Sequence, residues 1–169
     1  VTPTSPAPHA RAGVDRRTAL SIAAWSVPVI AVAVATPAFA ASSGDLGAFT
    51  LRGSCGVPGA IGPGFTLTAA TEPLPVGTVI IITGSGVGNI GVFSVSGGQA
   101  TVTTLSGTSR YITLTAALPA GATMAFRSTL STSVMFQLNA VVSLPAGYTA
   151  TGAKTAANVN SGAQLCTAS

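Results

Sequence analysis

TVIIITGSGVGNIG, Thr78 to Gly91, is the stretch on which the fold turns. Its first half is an apolar, β-branched run. Its second half spaces Gly86, Gly88 and Gly91 as G-x-G-x-x-G, the pattern of a loop that cradles pyrophosphate. In that setting the glycines should open a helix, and an acidic residue about twenty positions on should take a ribose hydroxyl. The chain instead continues as VFSVSGGQATVTTLSG, Val92 to Gly107, made of strand formers and turn residues, and no Asp or Glu occurs after Glu72. The stretch therefore predicts a strand running into a loop of a β protein, with no cofactor. Gly84, Gly86, Gly88, Asn89 and Gly91 then form a flexible candidate recognition loop at one end of the fold.

Outward from this stretch, the chain beyond Ala40 consists of short β-branched and apolar runs separated by Gly and Pro, with no apolar repeat of helical period. Ile112, Leu114 and Ala116 alternate against Tyr111, Thr113 and Thr115. Met124, Phe126 and Leu130 oppose Arg127 and Thr129. In SVMFQLNAVV, Val134, Phe136, Leu138, Ala140 and Val142 share one face, and Gln137 and Asn139 take the other. TVIIIT is apolar throughout and predicts a central strand covered on both faces. Strands are expected near 47–53, 64–70, 77–83, 91–96, 99–105, 110–117, 122–130 and 134–143, with a last short one near 163–167. This spacing predicts an all-β fold over residues 41–169, an antiparallel β-sandwich of immunoglobulin-like architecture.

PLPVGT from Pro73, ALPAGA from Ala117 and SLPAGY from Ser143 read as one turn device. Pro presets the first turn dihedral, Gly takes a positive φ, and the preceding Leu plugs a strand end; a remnant of internal duplication is the alternative. The two cysteines are Cys55 and Cys166. In an exported protein such a pair is most simply a disulfide, here clipping the first strand to the last. Reactive thiols, the alternative, call for a basic cluster or a CxxC spacing that the sequence lacks.

Export is itself an expectation from the start of the chain. Residues 1–14, VTPTSPAPHARAGV, are rich in Pro and Ala and predict a disordered extension. Residues 15–40, DRRTALSIAAWSVPVIAVAVATPAFA, place Arg16 and Arg17 before an apolar run that closes on Ala38-Phe39-Ala40, the layout of a helical export signal cleaved before Ala41. The run holds Pro28 and Pro37, favours Ala over Leu, and has no basic residue after it to stop transfer. Those features favour a removed leader over an anchor spanning Thr18 to Ala35. With Arg16, Arg17, Trp25 and SVPVIAVAVATPAFAAS, the leader resembles those of exported proteins of high-GC Gram-positive bacteria. The resemblance covers the leader only. Within it, Arg16-Arg17-Thr18-Ala19-Leu20 looks like a relaxed twin-arginine signal, with Asp15 where Ser or Thr is usual and Ala19 where Phe is common. It implies the export machinery as a partner and an extracellular or cell-envelope location.

Of the 169 residues 47% are hydrophobic, enough for one core, and only 6% are charged, so hydroxyls and backbone must solvate the surface. Arg11, Arg16 and Arg17, nearly half the cations behind the formal charge of +4, lie before Ala40. Beyond it, Arg52, Arg110, Arg127 and Lys154 face Asp45 and Glu72. Four scattered cations form no phosphate-binding stripe, so no nucleic-acid partner is expected.

The sole histidine, His9, lies in the extension, which leaves residues 41–169 without a Ser-His-Asp triad or a His-bearing metal site. Lys154 lacks a Ser-x-x-Lys partner because position 151 is Thr151. Asp45, near the new terminus, and Glu72, before a proline, read as surface groups rather than a glycosidase pair. Asp45 with Asn158 and Asn160 is too weakly charged for calcium. Tyr111 and Tyr148 read as packing residues.

The expectation is a secreted or cell-envelope β module without catalysis or metal, with a structural, surface or adhesion role. Self-association, or a cell-envelope partner, is expected because its uncharged, hydroxyl-rich edges lack lysine gatekeepers. The alternatives are a soluble ligand- or carbohydrate-binding module that uses the Gly84–Gly91 loop and Tyr148, and an ectodomain tethered by an uncleaved helix. Membrane contact is expected only through the leader.

Overall fold

The computed structural model describes residues 44–162 and 165–169; the extension (1–14) and the leader (15–40), with Arg16, Arg17, Ala38, Ala40 and Ala41, lie outside the described residues. Alternation of apolar and hydroxylic residues yields ten strands among the described residues, and no helix. In chain order they are β1 (Thr50–Ser54), β2 (Gly64–Thr68), β3 (Val79–Ser85), β4 (Phe93–Ser96), β5 (Ala100–Ser106), β6 (Ser109–Leu114), β7 (Thr123–Ser128), β8 (Phe136–Ser143), β9 (Ala156–Gly162) and β10 (Leu165–Ala168). They form a four-stranded sheet, β1-β2-β7-β4, and a six-stranded sheet, β10-β9-β8-β3-β6-β5. Every ladder in both is antiparallel.

The inward faces of the two sheets share one core. Leu51 pairs with Leu67, and Leu67 with Met124; Phe65 pairs with Phe126, and Phe126 with Val95. From the other sheet come Ile80 and Ile82, Ile112 and Leu114, Leu138 and Ala140, and Val159, all buried. Each fully buried Val, Leu, Ile, Phe or Met side chain contributes roughly 1.5–3 kcal/mol before entropy is counted. A Cβ on Gly53, which stands beside Phe65 in its row, would collide with the carbonyl oxygen of Asn158. Glycine there lets β9 approach β1 backbone to backbone.

That approach closes one side of the molecule. Leu51 N–H donates to Lys154 O at 2.8 Å, Lys154 N–H to Phe49 O at 2.9 Å, and Gly53 N–H to Ser169 O at 2.7 Å. Cys55, just past β1, is disulfide-bonded to Cys166 in β10, so the bridge joins the first strand of one sheet to the edge strand of the other. This is the clip expected from the cysteine pair. The opposite side carries no such closure among the described residues: β4 and β5 are the outermost strands of their sheets.

Several expectations are corrected. TVIIIT does hold the centre of its sheet, with β3 between β8 and β6, but only one face is covered, and Ile81 is 39% exposed. Val134 precedes β8 and faces solvent, because the chain turns at Ser131, whose carbonyl accepts the Val134 N–H. β9 has no counterpart among the expected strands. Ala156, Asn158, Asn160 and Gly162 are poor strand formers, yet Ala157, Val159 and Ser161 alternate inward.

The three proline turns form as expected with one change: Pro75, Pro119 and Pro145 occupy the first turn position, their carbonyls accepting from Thr78, Ala122 and Tyr148. Gly77, Gly121 and Gly147 take the positive-φ third position. Leu74 and Leu118 are buried and exchange backbone hydrogen bonds with each other, both at 2.9 Å, so two copies of the device are zipped together.

Candidate functional site

Antiparallel pairing brings the β1–β2, β3–β4, β5–β6 and β7–β8 connections to one end of the body and the three proline turns to the other. The glycine-rich loop, Gly84 to Gly91, lies at the first end. Gly84 ends the inward run of β3 at a point where a Cβ would strike Ile90 Cγ2, and Ile90 is fully buried. The loop folds back as a plug. Arg110, 4% exposed, fastens it: Nη2 donates to Asn89 Oδ1 (3.0 Å) and Gly91 O (2.6 Å), while Nη1 donates to Ser106 O (2.6 Å) and Ser109 O (2.9 Å). Asn89 Oδ1 also accepts the Gly91 N–H at 2.8 Å. Carbonyl dipoles of two connections thus solvate one buried guanidinium. The glycines serve a tight chain reversal and a close approach, leaving Ser85, Gly86, Gly88 and Asn89 exposed.

Beside this plug opens a groove of about 610 Å³. One wall is the hairpin Val57–Ile61, closed by reciprocal backbone bonds of 2.7 and 2.8 Å, with Val57 52% and Ile61 49% exposed. The facing wall is the hydroxyl-rich segment Ser128 to Ser133. The Ser128 hydroxyl donates to Ile90 O and accepts from Leu130 N–H, which ties the wall to the plug.

Arg127, outward-facing on β7, lies between Gly64 of β2 and Ser94 of β4 in its row. Both of these neighbours are small, and the Arg127 Nη1 lies buried beside the groove with no hydrogen-bond partner among the described residues. By sequence alone, Arg110 and Arg127 are two scattered cations. No local pattern distinguishes them, since their roles come from register.

Asp45, Glu72 and Tyr148 line a second hollow of about 510 Å³ at the proline end. The Thr151 hydroxyl, then the Thr151 and Gly47 amides, hold the Asp45 carboxyl below its ordinary pKa. The two amides donate to Oδ1 at 2.8 and 3.0 Å. A carboxyl held low in pKa is ionised, which suits a hydrogen-bond acceptor and not a general acid. Asp45 instead ties the incoming chain to the β8–β9 connection.

Among the described residues, the outer face of the six-stranded sheet carries no charged side chain. Across it runs a row of Thr103, Tyr111, Ile81, Val141 and Ala156. Nearby, Asn139 pairs with Asn158 and Gln137 with Asn160, forming a four-amide patch. At the margin, β5 (ATVTTLS) bonds to β6 along one side only, and the backbone bonds outside the ladders include none from Ala100 to Leu105. No protein-family model, curated protein or solved structure matches the chain.

Proposed function

We propose that this chain is an exported, non-catalytic surface module with a structural or adhesive role in the cell envelope, and that its copies associate edge to edge through β5. The observation that carries the reading is the asymmetry of the two sides. One is sealed by Lys154, Ser169 and the disulfide, while the other presents a threonine-rich, uncharged strand with a free row of backbone donors and acceptors. Natural edges are ordinarily blunted by Lys, Pro or a covering segment. Here the blunting is limited to the bulge between Thr104 and Ser106.

Export is supported by the leader and by the disulfide, which suits an oxidising compartment. An immunoglobulin-like sandwich is supported by strand order. β1-β2-β7-β4 follows the A-B-E-D arrangement and β9-β8-β3 the G-F-C arrangement, with β5 and β6 added as a hairpin beyond β3.

Thr103→Lys places a cation on the free edge without touching the core. It is expected to weaken self-association about tenfold or more, from like charge and the burial of an ammonium. Sedimentation velocity from dilute to concentrated solution reads this directly: the parent chain should shift to faster species and the variant should stay monomeric. A parent chain that remains a monomer throughout refutes edge association.

A further inference from the structure

We infer that the Arg127 groove is a binding site for a carboxylate-bearing sugar, a function separate from association through β5. A buried guanidinium nitrogen with no acceptor is rare, because a donor taken out of water without a partner costs free energy. The planar guanidinium fork of an arginine matches a carboxylate through two parallel hydrogen bonds. The side-chain carboxylates among the described residues, Asp45 and Glu72, line the hollow at the other end of the body. No acceptor among the described residues meets the Arg127 Nη1, which leaves that role to a ligand carboxylate entering the groove.

The groove also fixes the class of ligand. Its cationic side chain is Arg127 alone, with no lysine beside it, which suits a planar monoanion better than a phosphate. Ser131 and Ser133 also line the groove, and Ser131 Oγ uses one lone pair to accept the Ser133 N–H at 3.2 Å. Their hydroxyl protons are left for ring hydroxyls of a ligand. Val57, Pro58 and Ile61 supply an apolar shelf for the C–H face of a pyranose ring. The volume, about 610 Å³, lies within the ordinary range of small-molecule sites. A sugar acid meets all three surfaces at once.

The test is a titration of the exported protein with sodium glucuronate, glucose and inorganic phosphate, followed by amide NMR and calorimetry. Saturable shifts confined to Val57–Ile61 and Ser131–Ser133 are expected with glucuronate, none with glucose, and weaker ones with phosphate. Arg127→Gln should weaken glucuronate binding roughly tenfold or more, because the charged fork is lost while the outward position on β7 keeps the fold. Ser133→Ala, which removes a hydroxyl and nothing structural, should weaken it to a smaller extent and guards against misfolding of the first variant. The inference is overturned by an absence of saturation with glucuronate, by equal affinity in Arg127→Gln, or by phosphate binding as tightly as the sugar acid.

Discussion

Replacing both bridge residues, Cys55→Ala with Cys166→Ala, is expected to lower the unfolding free energy by about 4–5 kcal/mol in the chain-entropy account of a loop this long. The bridge spans a sequence separation of 111, nearly the whole body, so the unfolded chain gains most of its freedom when it is cut. The native side loses as well. β10 is otherwise held by its four-residue ladder to β9, by the bond from Gly53 N–H to Ser169 O and by that from Ser169 N–H to Asn158 O. Guanidinium chloride unfolding should show a large fall in midpoint. A loss under about 1 kcal/mol would mean that backbone pairing, not the bridge, closes that side.

Arg110→Met is expected to cost about 2–4 kcal/mol, the range for stranding buried polar groups. Methionine keeps the volume of the stem but takes the guanidinium donor from the carbonyls of Ser106, Ser109 and Gly91, and leaves Asn89 Oδ1 with the Gly91 N–H alone. Since these acceptors lie on two connections, the β3–β4 plug and the β5–β6 turn should loosen together, and protection of the Ile90 amide, which donates to Gly107 O, should fall. The control is Arg52→Met on the exposed face of β1, expected to change stability by no more than about 0.5 kcal/mol. Equal losses in the two variants, measured by urea unfolding, would refute a fastening role for Arg110.

The contrast between these arginines marks how far the sequence can be read. Alternation reports which side of a strand meets the core, so Ile112, Leu114, Phe126, Phe136 and Leu138 are placed inward from sequence alone, and they are buried. It is blind to what covers the other side. Ile81, expected under a second layer, is in fact exposed. β9 escapes because Asn158 and Asn160 suppress strand propensity, while its inward Ala157 and Val159 are small. The cysteines are legible because an even count, read with the expectation of export, leaves few alternatives. Arg110 and Arg127 are not, because one meets carbonyls 19 and 4 residues away and the other meets a glycine across a register that no local window contains. The groove is hidden for the same reason: its walls, Val57–Ile61 and Ser128–Ser133, are far apart in the chain and join only through the ladders of β2 and β7.

Edge association and the sugar-acid site both presuppose a body released outside the cell and locked by its bridge. The intact mass of the native protein, taken from culture supernatant and from the cell envelope with and without reductant, tests that claim most directly. A species beginning at Ala41, lighter than its reduced form by the hydrogens lost in the Cys55–Cys166 bond, and enriched in the envelope fraction, is expected. A full-length chain in the membrane, or a reduced chain in the cytoplasm, would contradict it.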